Sequence, residues 1–257
     1  MNMKKSTIGV AVITKNEADR IGRLLTSVDF ANEVVVVDSG STDGTPDFCK
    51  RMGAKVVFKE WQGFGLQKQF AMGQIQSEWI LNLDADEEVS KELAQEMVEA
   101  VNHADSQVNG FSMPRLSRYL GRWIRHGGWY PDRKIRLVRR ESGKWSNDPL
   151  HETLGVDGKV ERLSKPIFHY VYRRISDHVK TINRFSDVYA KGCPSAGSGF
   201  VLAGVGHAFI KFLECYVWKL GILDGVPGLI IAMNSSWYVF LKHAKRWEKN
   251  NSDAALF

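Results

Sequence analysis

The feature that most constrains this chain is an alternation in its first hundred residues. Short apolar runs rich in β-branched residues are each followed by a polar cluster and then by a segment of helical spacing. Ile8–Ile13 is a continuous apolar run, the pattern of a strand buried on both faces. Glu33–Val37 and Trp79–Leu83 repeat it, and Lys55–Phe58 is a shorter version. Between them, Ala18–Val28 carries Ile21, Leu24, Leu25 and Val28 at helical spacing. Thr45–Met52 and Gly65–Ile75 read as helices, and Glu88–Asn102 reads as an amphipathic one.

This order predicts an α/β fold, a parallel sheet with helices on both faces. Ligands of such sheets bind beyond the carboxyl ends of the strands. Three polar clusters follow strands and so fall on one rim: Thr14–Glu17, Asp38–Asp43 and Asp84–Asp86. The texture changes after about Gly110. The expected organisation is a catalytic domain over 1–172, with halves of about 1–110 and 111–172, and a helical, apolar region over 173–257.

Composition narrows the partners. A net charge of +6 and a pI near 9.2 favour an anionic partner: nucleic acid, an acidic membrane surface or a phosphorylated substrate. Cys49, Cys193 and Cys215 form no CxxC pair or spaced zinc set. They read as buried or idle thiols in a reducing compartment. The short polar start followed by a six-residue apolar run does not read as a signal peptide, and secretion is not expected.

Each polar cluster admits a functional and a plain structural reading. Asp84 and Asp86 end a strand two residues apart, so both side chains point one way, roughly 6.6 Å apart. Two such carboxylates repel unless a cation is near. Mg²⁺ and Mn²⁺ share oxygen ligands between one or two carboxylates and substrate phosphates. The plain alternative is a solvated acidic loop with Glu87 and Glu88 as helix N-terminal charges. Asp38, in Asp38-Ser39-Gly40-Ser41-Thr42-Asp43-Gly44, suits a pyrimidine N–H or ribose hydroxyls. The alternative is an Asx turn, with Asp43 or Thr45 capping the next helix. Thr14, Asn16 and Glu17 suit the base or ribose, or else Asn16 caps a helix. Lys68 reads either as a nucleotide contact or as a surface lysine.

The order Thr14-Lys15-Asn16-Glu17, Asp38-Ser39-Gly40-Ser41-Thr42-Asp43, Gln67-Lys68 and Asp84-Ala85-Asp86-Glu87 resembles the family 2 glycosyltransferases of the GT-A fold, over roughly Ile8 to Leu154. Trp129–Leu137 and His151-Glu152-Thr153-Leu154 are similar to the bacterial lipopolysaccharide core β-glucosyltransferases. The resemblance implies a Rossmann-like, mostly parallel sheet flanked by helices. It implies inverting transfer of a sugar, with glucose expected, from a UDP-sugar to a lipid-linked or phosphorylated saccharide. Matched motif to motif, it sets Asp38 at the uracil, Asp84 near sugar and ribose, Asp86 on Mg²⁺ or Mn²⁺, and Arg136 at the diphosphate.

An inverting displacement needs a base for the acceptor hydroxyl. Many family members carry a Glu-Asp pair late in the chain, whereas this one has His151-Glu152. Glu152 is the first choice and His151 the second, its pKa lying nearer neutrality. A buried histidine beside a surface glutamate is the plain alternative.

Arg115, Arg118, Arg122, Arg125, Arg133, Lys134, Arg136, Arg139 and Arg140 are interleaved with Tyr119, Trp123, Trp129 and Tyr130. Apart from Arg136, they suit a phosphorylated acceptor, anionic headgroups or a solvated face. In the tail, His207–Leu220 has a broad apolar face. Ile222–Leu241 contains Asp224, Pro227 and Asn234, a poor span but a reasonable interfacial helix. Lys242, His243, Lys245 and Arg246 follow it. The expected location is cytoplasmic, peripheral on the inner face of a bacterial inner membrane. Transfer to polyprenyl phosphate or a peptide is a neighbouring reading. Nucleic-acid binding is a third, disfavoured because an acidic rim repels phosphates without metal.

Overall fold

The structure, a computed structural model, describes residues 5–148 and 152–251. Its contacts group the chain into two units: Met1–Arg115 with Arg133–His169, and Leu116–Asp132 with Tyr170–Phe257.

The first unit realises the alternation. Strands β1 (Ile8–Thr14), β2 (Glu33–Asp38), β3 (Lys55–Phe58) and β4 (Trp79–Asp84) alternate with α1 (Ile21–Ser27), α2 (Thr45–Arg51) and α3 (Phe64–Met72). Then come β5 (Glu87–Val89), α4 (Lys91–His103), β6 (Val108–Tyr119), β7 (Arg122–Trp123) and β8 (Asp132–Arg139). The hairpin β9 (Gly143–Trp145) and β10 (Leu154–Val156), then β11 (Lys159–Arg162) and β12 (Ile167–Tyr172), follow. The sheet order is β3-β2-β1-β4-β8-β6-β12-β5, with β11 and β7 beside β6. Strands β3, β2, β1 and β4 are parallel, and β8 pairs antiparallel with β4.

Every residue of β1 is buried, because helices cover both faces. Val10 and Val12 pack with Ile21, Leu24, Leu93 and Met97 on one side. Ala11 and Ile13 pack with Ala71, Met72 and Ile75 on the other. Strand periodicity of two sends alternate residues to the two cores.

Two helices start later than the sequence suggests. Helix α1 begins at Ile21, not Ala18, because Asn16 is left-handed at φ 57° and the backbone of 16–18 bonds to the 41–45 loop. Helix α4 begins at Lys91 after the Ser90 N-cap, because Glu87–Val89 pairs as a strand with β12.

The second unit is helical: α5 (Ile175–Gly192), α6 (Ser198–Leu213) and α7 (Gly225–Asn251). A π turn, Glu214–Trp218, and a 3-10 turn, Gly221–Asp224, join α6 to α7. A small core of Tyr119, Ile124 and Ile231 is ringed by Trp129, Tyr172 and Ile230. Among the described residues, the helical stretch long and apolar enough to cross a membrane is Ser198–Trp218, which overlaps His207–Leu220 and precedes Ile222–Leu241.

Candidate functional site

Strand register builds the rim. Thr14 lies opposite Asp38 across β1 and β2, and Ile13 opposite Asp84 across β1 and β4. The polar clusters therefore share the carboxyl end of the sheet.

The first two clusters lock together. Asp38 Oδ2 accepts from the Gly40 and Ser41 amides at 2.9 Å each, which is an Asx-type turn. Asn16 is not a helix cap: its Oδ1 accepts from the Thr42 amide at 2.8 Å, and its own amide donates to Ser41 Oγ at 2.8 Å. Thr45 Oγ1 accepts from the Glu17 amide at 2.9 Å. Glu17 itself is held by a two-point pair with Arg20 at 2.6 and 2.7 Å. The N-cap of α2 is left-handed Gly44, neither Asp43 nor Thr45; Asp43 instead accepts from the Thr45 amide at 3.0 Å. Thr14 Oγ1 and Gln67 Oε1 are buried and have no hydrogen-bond partner among the described residues.

Around Asp84 the structure gathers charges that lie far apart in sequence. Lys68 is no surface lysine: it is 7% exposed. Its Nζ lies 2.8 Å from Asp84 and 2.9 Å from Glu152, and 4.7 Å from the centre of the Trp145 ring. Arg136 Nη2 lies 2.6 Å from Asp84 and 2.7 Å from Glu87. Burial alone would raise the pKa of Asp84, but Arg136 and then Lys68 outweigh it and hold the carboxyl well below the usual range. Desolvation works against the Arg136 charge, yet Asp84 and Glu87 drive its pKa up.

Glu87 is the residue the sequence misled on. It is not a helix-end charge but lies fully buried in β5. Its carboxylate accepts from Arg136, from Arg115 Nη1 at 3.4 Å and from the Asp84 amide at 3.0 Å. The signal was present, since Glu87 directly follows the Asp-x-Asp. A carboxylate just before a helix ordinarily serves its dipole, and only the β5–β12 pairing excludes that here.

Asp86 sits beside this cluster. Its Oδ2 is 3.6 Å from His169 Nε2 and 3.8 Å from Arg20 Nη1. His169 reaches it because β12 pairs with β5, setting His169 opposite Glu87. Nothing in the sequence singles out this histidine within an aromatic strand. One carboxylate oxygen and one imidazole nitrogen suit Mn²⁺, and Mg²⁺ with more oxygen. No cluster of three or more His, Cys, Asp or Glu able to hold an ion occurs among the described residues. A divalent ion fits only with substrate phosphates completing its shell.

The arginine-rich stretch does not form one face in the first unit. Arg115 and Arg136 turn inward to Glu87, Arg133 donates to the Leu163 carbonyl, and Arg139 pairs with Glu78 at 2.7 Å. Carboxylates and carbonyls of neighbouring segments claim them, buried at Glu87 and exposed at Glu78. His151 lies outside the described residues. The three cysteines are free thiols.

Residues 9–157 match the family model described as glycosyl transferase family 2, more than half of the chain. A Rickettsia bellii protein named an uncharacterized glycosyltransferase is 54% identical over 260 residues, 93% of this chain and 85% of its own length. The lipopolysaccharide core biosynthesis glycosyltransferase LpsC of Rhizobium meliloti is 26% identical over 260 residues, 96% of this chain and 94% of its own. Among solved structures, a mannosyltransferase from Pyrobaculum calidifontis in complex with GDP-Man and Mn²⁺ has a TM-score of 0.51 at 17% identity, covering 99% of this chain and 76% of that one. This last likeness is one of fold.

Proposed function

This chain belongs to glycosyl transferase family 2, and from that premise we propose that it transfers a sugar, glucose by preference, from a UDP-sugar to a lipid-linked saccharide of the lipopolysaccharide-core kind, with inversion. It is a glycosyltransferase with a GT-A-like sheet. The full-length likeness to LpsC supports the acceptor class. In this reading residues 1–110 serve the donor, 111–172 the acceptor and 173–257 the membrane side, with the enzyme peripheral on the inner face of a bacterial inner membrane.

The observation that carries the reading is the charge cluster at the end of β4. Asp84, Lys68, Arg136 and Glu152 form one ion-pair network at the rim, beside Asp86 and His169. Asp38 and the Thr14, Asn16 and Glu17 loop receive the nucleoside. The buried, unpartnered Thr14 Oγ1 is a polar atom such a ligand would satisfy. Lys68 and Arg136 are cations that a donor diphosphate can draw partly away from Asp84.

Lys68 bridges a donor-side carboxylate and the proposed base. Once its ammonium turns to the diphosphate, the Glu152 carboxylate is released from Lys68 to meet the acceptor hydroxyl. The hydroxyl oxygen then attacks the anomeric carbon in line, the proton passes to Glu152, and the UDP oxygen leaves on the opposite face. Asp86 and His169 would hold a Mg²⁺ or Mn²⁺ ion, which when bound would supply charge stabilisation for the leaving diphosphate.

Thermal-shift screening of nucleotide sugars with Mg²⁺ or Mn²⁺ tests this. UDP-sugars should raise Tm only with metal, and Asp86→Ala should lose that rise. Glu152→Gln should still bind donor but lose at least about 100-fold in kcat. If no nucleotide sugar shifts Tm under either metal, the reading fails.

A further inference from the structure

We propose that the 217–226 turn of the second unit is a bilayer-docking tip, which sets apolar side chains into the headgroup–acyl boundary of an anionic membrane. The inference deepens the lipid-acceptor reading, on which it rests for the choice of partner.

Six large apolar side chains are exposed within ten residues: Val217, Trp218, Leu220, Ile222, Leu223 and Val226, with Trp218 at 65% and Val226 at 69%. A contiguous patch of this kind marks an interaction surface. Tight packing holds the turn in shape. Leu220 is left-handed at φ 55°. A Cβ on Gly228 would stand 2.0 Å from the Gly221 carbonyl oxygen, and one on Gly221 2.5 Å from that of Cys215. Such close approaches hold the apolar side chains on the outside of a built turn.

The sequence carries one objection, the carboxylate of Asp224 in the middle of the run. The structure removes it. Asp224 is 2% exposed, and its carboxylate accepts from the backbone amides of Arg125 and His126 at 3.1 and 2.8 Å. The 217–226 segment therefore presents no exposed acid. The same contact places the 122–126 strand and loop against the turn, with Arg122 donating to the Leu223 carbonyl at 2.9 Å. Arg122, Arg125 and Lys219 are exposed around the tip, and the nearby Glu214 is paired with Lys211 and Lys219. An apolar tip within a cationic collar, with a tryptophan at its edge, matches an anionic lipid interface. A symmetric second copy would set these cations against one another.

The tip docks and does not span. The stretch Ser198–Trp218, α6 continued by the π turn, is long and apolar enough to cross, but α6 packs against α7. Ser236 Oγ donates to the Ala208 carbonyl at 2.7 Å, and a Cβ on Gly204 would lie 2.6 Å from that of His243. Helix α7 continues into Lys242, Lys245, Arg246 and Lys249, which hold the pair out of the hydrocarbon.

Co-sedimentation of the full chain with vesicles decides. Phosphatidylethanolamine vesicles containing phosphatidylglycerol should bind at least about tenfold better than phosphatidylcholine at roughly 0.1 M salt. Ile222→Ser/Leu223→Ser/Val226→Ser should lose about tenfold or more of that binding, with its far-UV spectrum and UDP-sugar thermal shift unchanged. Arg125→Glu should weaken only the anionic-vesicle binding. Equal sedimentation of wild type and the serine variant overturns the proposal. So does a dimer in light scattering that the serine variant breaks, which assigns the face to a second copy. Resistance of bound protein to alkaline extraction overturns it in favour of a span. Vesicle binding without nucleotide-sugar binding would leave the tip standing and remove the enzymatic reading; the converse would remove the tip alone.

Discussion

At the residue scale, the arrangement turns on one fully buried carboxylate. Glu87 anchors Arg136, and Arg136 anchors Asp84. Glu87→Ala would remove one of the two carboxylates that compensate the buried Arg136 guanidinium, so a loss of about 3 kcal/mol in urea unfolding is expected. Asp84 adds a pH signature. Its folded pKa lies below the unfolded value. It therefore contributes stability that is complete above the ordinary aspartate range and is lost as pH falls through the depressed folded pKa. Asp84→Asn should flatten the acid limb of the stability profile below about pH 4; an unchanged limb would show that the Arg136 and Lys68 pairing is not felt in solution. The place of Asp84 and Asp86 on the rim was legible in the sequence because they end a buried apolar run. Glu87, His169 and Arg20 were not, because their meaning comes from strands and loops distant in the chain.

At the scale of elements, β1, β2 and β4 were readable because strands covered on both faces must be apolar throughout. Where helices begin was not readable, since Asn16–Ala18 and Glu87–Val89 are taken by partners elsewhere. Helix α3 shows how an element serves the site. A Cβ on Gly65 would lie 2.0 Å from the Ser146 carbonyl oxygen, so the helix presses on the segment after β9 and brings Lys68 to Glu152. Gly65→Ala must push the two apart. An overpacking cost of about 1–3 kcal/mol in denaturant unfolding is expected. A drop in kcat with little change in donor KM should accompany it if Lys68 positions Glu152. A variant as stable and active as wild type would show that the contact yields freely.

At the scale of the whole molecule, the second unit has its own titrating centre. His178 is buried, stacks on Tyr172 with ring centres 4.5 Å apart, and its Nδ1 lies 3.1 Å from the Tyr119 hydroxyl and 2.9 Å from Asn234 Nδ2. Burial pushes its pKa from 6.5 down to about 4. Between those values the unfolded chain binds the extra proton. Stability from the neutral ring is thus complete above about pH 6.5 and falls, by on the order of 3 kcal/mol, as pH drops towards 4. Urea unfolding at pH 7.5 and 4.5 should show that slope, and His178→Gln should abolish it. The sequence by itself determined the α/β alternation and the polar clusters of the rim, because hydrophobic period and strand-end polarity are local properties. Tertiary structure alone decided which cation meets which carboxylate, that Glu87 is buried in a strand against Arg136, and that Asp224 turns inward to leave an apolar tip. Those outcomes depend on pairings between segments separated by tens of residues, and local pattern carries no record of them.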